Sequence, residues 1–231
     1  MWKRKYLILI LTLVALLAVE SSTKRSAVAS DFFITLVSLT VFLVVFKRGR
    51  ERTVAFAAAA AALALIWSRY LPISVESKAL MEVANHLLQV AFFGFAVVVI
   101  LRNIFEATAV TGDDVLGTVC GYPLGAAVWA NLYAATASLV PDSFTVSADL
   151  KELSGEHGRT ALFNYFSVMT LTTVGYGDIT PVRPPATALA MLEAIFGQFY
   201  VAVVVAELVG LRLPRRQSRQ AAGLEVKSNG R

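Results

Sequence analysis

Residues Thr172-Thr173-Val174-Gly175-Tyr176-Gly177-Asp178 form the stretch of this chain whose composition points most directly to a chemical task. Glycine tolerates positive φ, so an alternating segment with glycines at 175 and 177 can turn several consecutive peptide carbonyls to one side. Carbonyls that point inward together can replace the water around an ion. In a soluble loop the same residues would be only a tight glycine turn, and the setting decides between the two readings. A short apolar stretch, Ala161 to Leu171, precedes the loop and a long one begins at Ala186. No cluster of nucleophile, base and acid accompanies it, nor a metal-ligating set, which argues against an enzyme. Cys120 is the only cysteine, so one chain can form neither a disulfide nor a thiolate metal cluster. Next to Val119 it reads as a small buried residue in an apolar segment.

The elements that must hold such a loop follow from composition. With 57% hydrophobic and 16% charged residues, the 231-residue chain is too apolar for an ordinary soluble domain. Six apolar segments run roughly Tyr6 to Val19, Phe32 to Phe46, Val54 to Trp67, Ala79 to Leu101, Val115 to Val140 and Ala186 to Leu213. The last three are long enough to cross a hydrocarbon core of about 30 Å. The first three are shorter and are read as spans because charged or aromatic residues bracket them. Ala161 to Leu171 is too short to span. The net charge of +5 comes from basic residues at the ends of apolar runs, not from a shared face for nucleic acid. Fourteen of the 21 lysines and arginines fall in the amino terminus, the second-to-third and fourth-to-fifth connections and the carboxyl tail. That bias places both termini in the cytoplasm and the stretch between the fifth and sixth spans outside. Lys3 to Lys5, the apolar core behind them and Ala27-Val28-Ala29 also imitate a cleavable signal peptide, which would leave the orientation of the other spans unchanged.

The segment Met169 to Asp178 resembles the selectivity-filter signature of potassium channels; the resemblance covers Asp113 to Leu213, while the first four spans resemble a bacterial-type member of the six-span, voltage-gated-like superfamily only in number and order. The resemblance implies an all-α membrane protein with six transmembrane helices, a re-entrant pore helix and a selectivity-filter loop. It implies that the carbonyls of Thr173, Val174, Gly175 and Tyr176, with the Thr173 hydroxyl and Gly177 completing the loop, ligate K+ in transit. Because one chain supplies one such loop, a ring of carbonyls requires a homotetramer. Tyr165 and Phe166 resemble the aromatic cuff behind the filter, and Tyr165 is placed to hydrogen-bond Asp178, unless Asp178 is simply solvated. Met169 stands where some relatives carry a glutamate. Gly197 matches the inner-helix hinge in its spacing from Gly177, although a glycine in a membrane helix also permits close packing. Helical spacing then sets Gln198, Val201, Val205 and Val209 on a stripe facing the inner cavity.

The expected organisation is a four-helix transmembrane domain over 1–110, a pore domain over 111–213 and a short basic tail over 214–231. Voltage sensing needs arginines recurring along the fourth span, and this one carries Glu82, His86, Gln89 and a terminal Arg102. Strong voltage gating is therefore not expected. Intramembrane Glu193 is placed to support the pore helix, and Glu207 either reaches the cytoplasmic mouth or lies solvated at the lipid interface. His86 reads as polar packing or as a sensor, and Asp113 and Asp114 as a helix start. The tail has no room for a cytosolic ligand-binding domain and either touches anionic lipid or marks the inside. No cofactor beyond the transported ion is expected. By analogy, the compact chain suits a bacterial-type plasma membrane with the filter mouth extracellular or periplasmic.

Overall fold

The computed structural model describes residues 5–20, 27–46, 49–68, 70, 75–107, 111–150 and 158–210. The expectations for the tail 214–231, for residues 211–213 of the sixth segment and for 151–157 of the outer loop lie outside the described residues. In chain order the elements are α1 (Lys5–Glu20), α2 (Ala27–Val45), α3 (Arg50–Ser68), α4 (Val75–Phe105), α5 (Gly112–Leu139), β1 (Phe144–Val146), α6 (Arg159–Leu171), β2 (Ile179–Pro181) and α7 (Pro184–Gly210). Among the described residues, three helices are long and apolar enough to cross a membrane, over Leu80–Phe105, Gly112–Leu139 and Pro184–Gly210. The apolar parts of the first three helices are shorter, at Tyr6–Leu16, Asp31–Val45 and Arg52–Ser68. Helix α6, at 13 residues, reaches only roughly 20 Å.

The expected all-α architecture needs one amendment. Strands β1 and β2 pair antiparallel, with Phe144 opposite Pro181, Thr145 opposite Thr180 and Val146 opposite Ile179. Each strand is only three residues long, below the length at which alternation in a sequence is legible. The pair joins the segment after α5 to the segment that follows Asp178.

Helix α5 begins with a reciprocal cap. The Thr111 hydroxyl accepts from the Asp114 backbone N–H, while an Asp114 carboxylate oxygen accepts from the Thr111 N–H at 2.8 Å. The aspartates thus mark a helix start as expected, with Thr111 as the capping residue itself. Around α5 pack α1, α4, α6 and α7. Gly117, Gly121 and Gly125 recur every four residues along it, the small-residue spacing that lets membrane helices approach closely. A Cβ at Gly117 would lie 3.0 Å from the Tyr6 ring of α1, and one at Gly125 3.1 Å from the Phe196 ring of α7. At Gly121 it would lie 2.2 Å from the Tyr200 hydroxyl, which reaches past the glycine to donate to the Thr118 carbonyl at 2.8 Å.

Helix α4 buries polar side chains against α5. His86 Nδ1 lies 2.8 Å from Asn131 Oδ1. Because Asn131 Nδ2 donates to the Ala127 carbonyl, Oδ1 is the acceptor and His86 Nδ1 the donor. His86 is thereby placed in polar packing between helices. Between Lys78 and Arg102 the helix has no lysine or arginine.

The crowding at Gly121 gives a direct test. Gly121→Ala is expected to destabilise the detergent-solubilised protein by about 1–3 kcal/mol in thermal unfolding. Adding Tyr200→Phe, which removes the colliding oxygen, is expected to cost less than the sum of the two single changes.

Candidate functional site

The loop that follows α6 is held by its donors while its acceptors stay open. Thr173 N–H bonds the Thr170 carbonyl at 3.0 Å, and the N–H groups of Val174 and Gly175 both bond the Met169 carbonyl, at 2.9 and 3.1 Å. Among the described residues, none of the carbonyls of Thr173, Val174, Gly175 and Tyr176 accepts a hydrogen bond. Residues 172 to 177 are all exposed in the isolated chain, Tyr176 at 70%. Positive φ recurs at every second residue, at Thr173 (61°), Gly175 (51°) and Gly177 (78°). For Thr173 this conformation costs on the order of 1–2 kcal/mol, which the surrounding contacts must offset.

Those contacts act at four places. At the outer end the Tyr165 hydroxyl donates to Asp178 Oδ2 at 2.5 Å, and Asp178 Oδ1 accepts from the Ile179 N–H at 3.0 Å. The Asp178 carbonyl accepts from Ser147 N–H at 2.8 Å, so the strand pair begins where the loop ends. Burial and the bond to Asp178 push the Tyr165 hydroxyl up to about 12. Its contribution is therefore fully present below the ordinary tyrosine value and is lost only as pH rises through about 12. At the inner end the Leu171 carbonyl, left without an intrahelical donor at the end of α6, accepts from the Tyr122 hydroxyl of α5 at 2.8 Å. Gly197 of α7 lies against the same carbonyl, where a Cβ would come within 2.5 Å. Behind α6, Ser167 and Tyr133 both bond the carboxyl group of Glu193, and all three are fully buried. At the start of α6, Arg159 reaches Ser138 of α5 at 3.0 Å and Glu82 of α4 at 3.4 Å.

Tyr165 and Phe166 face different ways. Tyr165 meets Asp178, while Phe166 is buried against Tyr133 and Phe144, with ring centroids 4.9 and 5.7 Å away. Gln198, Val201, Val205 and Val209 are all exposed, adjoining the stripe of Glu193, Gly197, Tyr200 and Val204 that α7 buries. Gly197 has a packing role here, and its backbone stays helical. Glu207 is half-buried near the end of α7. Tyr122, Tyr133 and Ser167 were not legible as supports. An intramembrane Glu193 signals that partners exist, but nothing in the sequence ties it to side chains 60 and 26 positions away.

Residues 146–211 match the family model described as an ion channel. This stretch is similar to ion-channel domains. Over 94 residues the chain is 33% identical to the inward rectifier potassium channel Kirbac3.1 of Paramagnetospirillum magnetotacticum, covering 41% of this chain and 31% of that one. Over 65 residues it is 28% identical to two-pore potassium channel 5 of Arabidopsis thaliana, covering 28% of this chain and 16% of that one. The chain thus spans less than a third of the length of either curated relative. No solved structure matches. The matches show a similarity to potassium channels over part of the chain. Together with the long apolar helices they mark a membrane protein.

The outer-end bond is open to a double-mutant cycle. Tyr165→Phe and Asp178→Ala are each expected to lower thermal stability, with a coupling between them on the order of 1–2 kcal/mol. Additive effects would mean that the two side chains act separately.

Proposed function

We propose that the chain is one subunit of a homotetrameric potassium-selective channel that conducts K+ passively through a ring of backbone carbonyls. The observation that carries this reading is the row of unpartnered carbonyls at Thr173, Val174, Gly175 and Tyr176 beside alternating positive φ. Non-helical backbone at membrane depth is tolerable where it lines water or an ion path. Four such rows around an axis supply stacked rings that replace the hydration shell of K+, and Thr173 adds its hydroxyl at the inner end. The carboxyl end of α6, directed into the assembly, adds partial negative charge that favours a cation. The names of the two relatives support K+ as the ion.

Assembly is supported by α7, most of whose apolar length is left unburied by its own chain. Met191 and Phe199 are exposed at 68% and 65%. Facing the axis, Gln198, Val201, Val205 and Val209 line the inner cavity, where a valine ring can close the path by dewetting. Bending of α7 at Gly197 would part it from the Leu171 carbonyl and so connect an inner gate with the filter base. The helices of 1–110 form a transmembrane domain without a gating-charge ladder, so opening is only weakly sensitive to voltage. Both termini lie in the cytoplasm of a plasma membrane, with the filter mouth on the other side.

Purified protein in potassium-loaded liposomes tests the reading. Barium-blockable flux preferring K+ over Na+ is expected, and Gly177→Asp, which places a carboxylate at a positive-φ position, is expected to reduce it to background. Equal K+ and Na+ flux would indicate a weakly selective cation channel. Silence across voltage, pH and lipid composition would indicate a non-conducting subunit.

A further inference from the structure

Glu193, Ser167 and Tyr133 sit on three different helices, α7, α6 and α5, and each is fully buried. Their hydrogen bonds can be counted. Tyr133 Oη lies within bonding distance of Glu193 Oε2, and Ser167 Oγ within bonding distance of both Glu193 Oε1 and the Ala126 carbonyl, the latter at 2.8 Å. A serine hydroxyl has one hydrogen, while a backbone carbonyl and an ionised carboxylate have none to give. With Glu193 ionised, the Ser167 hydroxyl would face two acceptors and satisfy one. A proton on Oε1 resolves the count: Tyr133 donates to Oε2, Oε1 donates to Ser167, and Ser167 donates to the Ala126 carbonyl. Every hydrogen in the chain then has an acceptor. No cation offsets a charge at this position, since Glu193 has no lysine or arginine partner among the described residues. A buried, unpaired carboxylate in such a site would be costly.

We infer that Glu193 is held as a neutral carboxylic acid and is a positioning residue, fastening the pore helix α6 to α5 and α7 directly behind the filter loop. Ser167 lies one turn before Leu171, so the fastening acts on the same end of α6 that Tyr122 and Gly197 hold. Support of a filter rests on the conduction reading. The protonation state and the helix fastening do not.

Infrared spectra of the full chain in lipid at neutral pH, native minus Glu193→Gln, give the first readout. A carboxylic-acid carbonyl band lost in the variant is expected, whereas a carboxylate band lost instead overturns the inference. Glutamine keeps the donor and the acceptor, so Glu193→Gln is expected to retain K+ flux within about twofold and an unchanged thermal transition. Glu193→Ala and Ser167→Ala are expected to lower flux on the order of tenfold and to lower the transition. Glu193→Gln behaving like Glu193→Ala overturns the positioning role. If no variant and no native protein conducts, the infrared band and the thermal series still decide this inference, and only the conduction reading falls.

Discussion

Four consecutive carbonyls that accept no hydrogen bond among the described residues set the terms for the rest of the structure. Backbone groups are ordinarily paired, so a segment that keeps its oxygens open has to be fixed through other atoms. The chain does this with the N–H groups of Thr173, Val174 and Gly175, which fold back onto α6, and with Asp178, whose carboxylate and carbonyl both accept. The loop is thus held from the helix side and from the strand side while its middle stays free. Positive φ at Thr173 adds to what those ends must offset, which explains why so many side chains converge on a 13-residue helix.

Helices α5 and α7 provide that convergence by different means. Along α5 the glycines at 117, 121 and 125 admit neighbours to contact distance, because in a bilayer association rests on close packing and not on exclusion of water. Along α7, one narrow stripe faces inward and carries both a glycine against a carbonyl and a carboxyl group between two hydroxyls. Much of the rest of α7 is exposed in its own chain. A helix fastened on one side and apolar on the others is suited to an assembly in which identical copies share an axis.

How much of this was legible in the sequence differs by element. The glycine-bearing loop, the short helix and the long flanking helices could be read directly, because glycine spacing and apolar length are local properties. Tyr165 and Asp178 stand 13 residues apart and their pairing was one of two open readings, which the 2.5 Å bond decides. Phe166 was grouped with Tyr165 by resemblance, yet neighbouring residues on a helix point about 100° apart, and Phe166 enters the core with Tyr133. The three-residue strands carry too short a pattern to detect, and the partners of Glu193 depend on tertiary packing that no spacing rule encodes. The spacing of Gly197 suits a hinge, while its contact with the Leu171 carbonyl is one that a hinge would have to break.

The most direct test of the carbonyl filter is the reversal potential of the purified channel in a planar bilayer with K+ on one side and Na+ on the other. A fourfold ring of carbonyls at Thr173 to Tyr176 requires current that reverses far from zero, in the direction set by K+. A reversal near zero would contradict it, because a path that treats the two ions alike is not selecting by replacing the hydration of one of them.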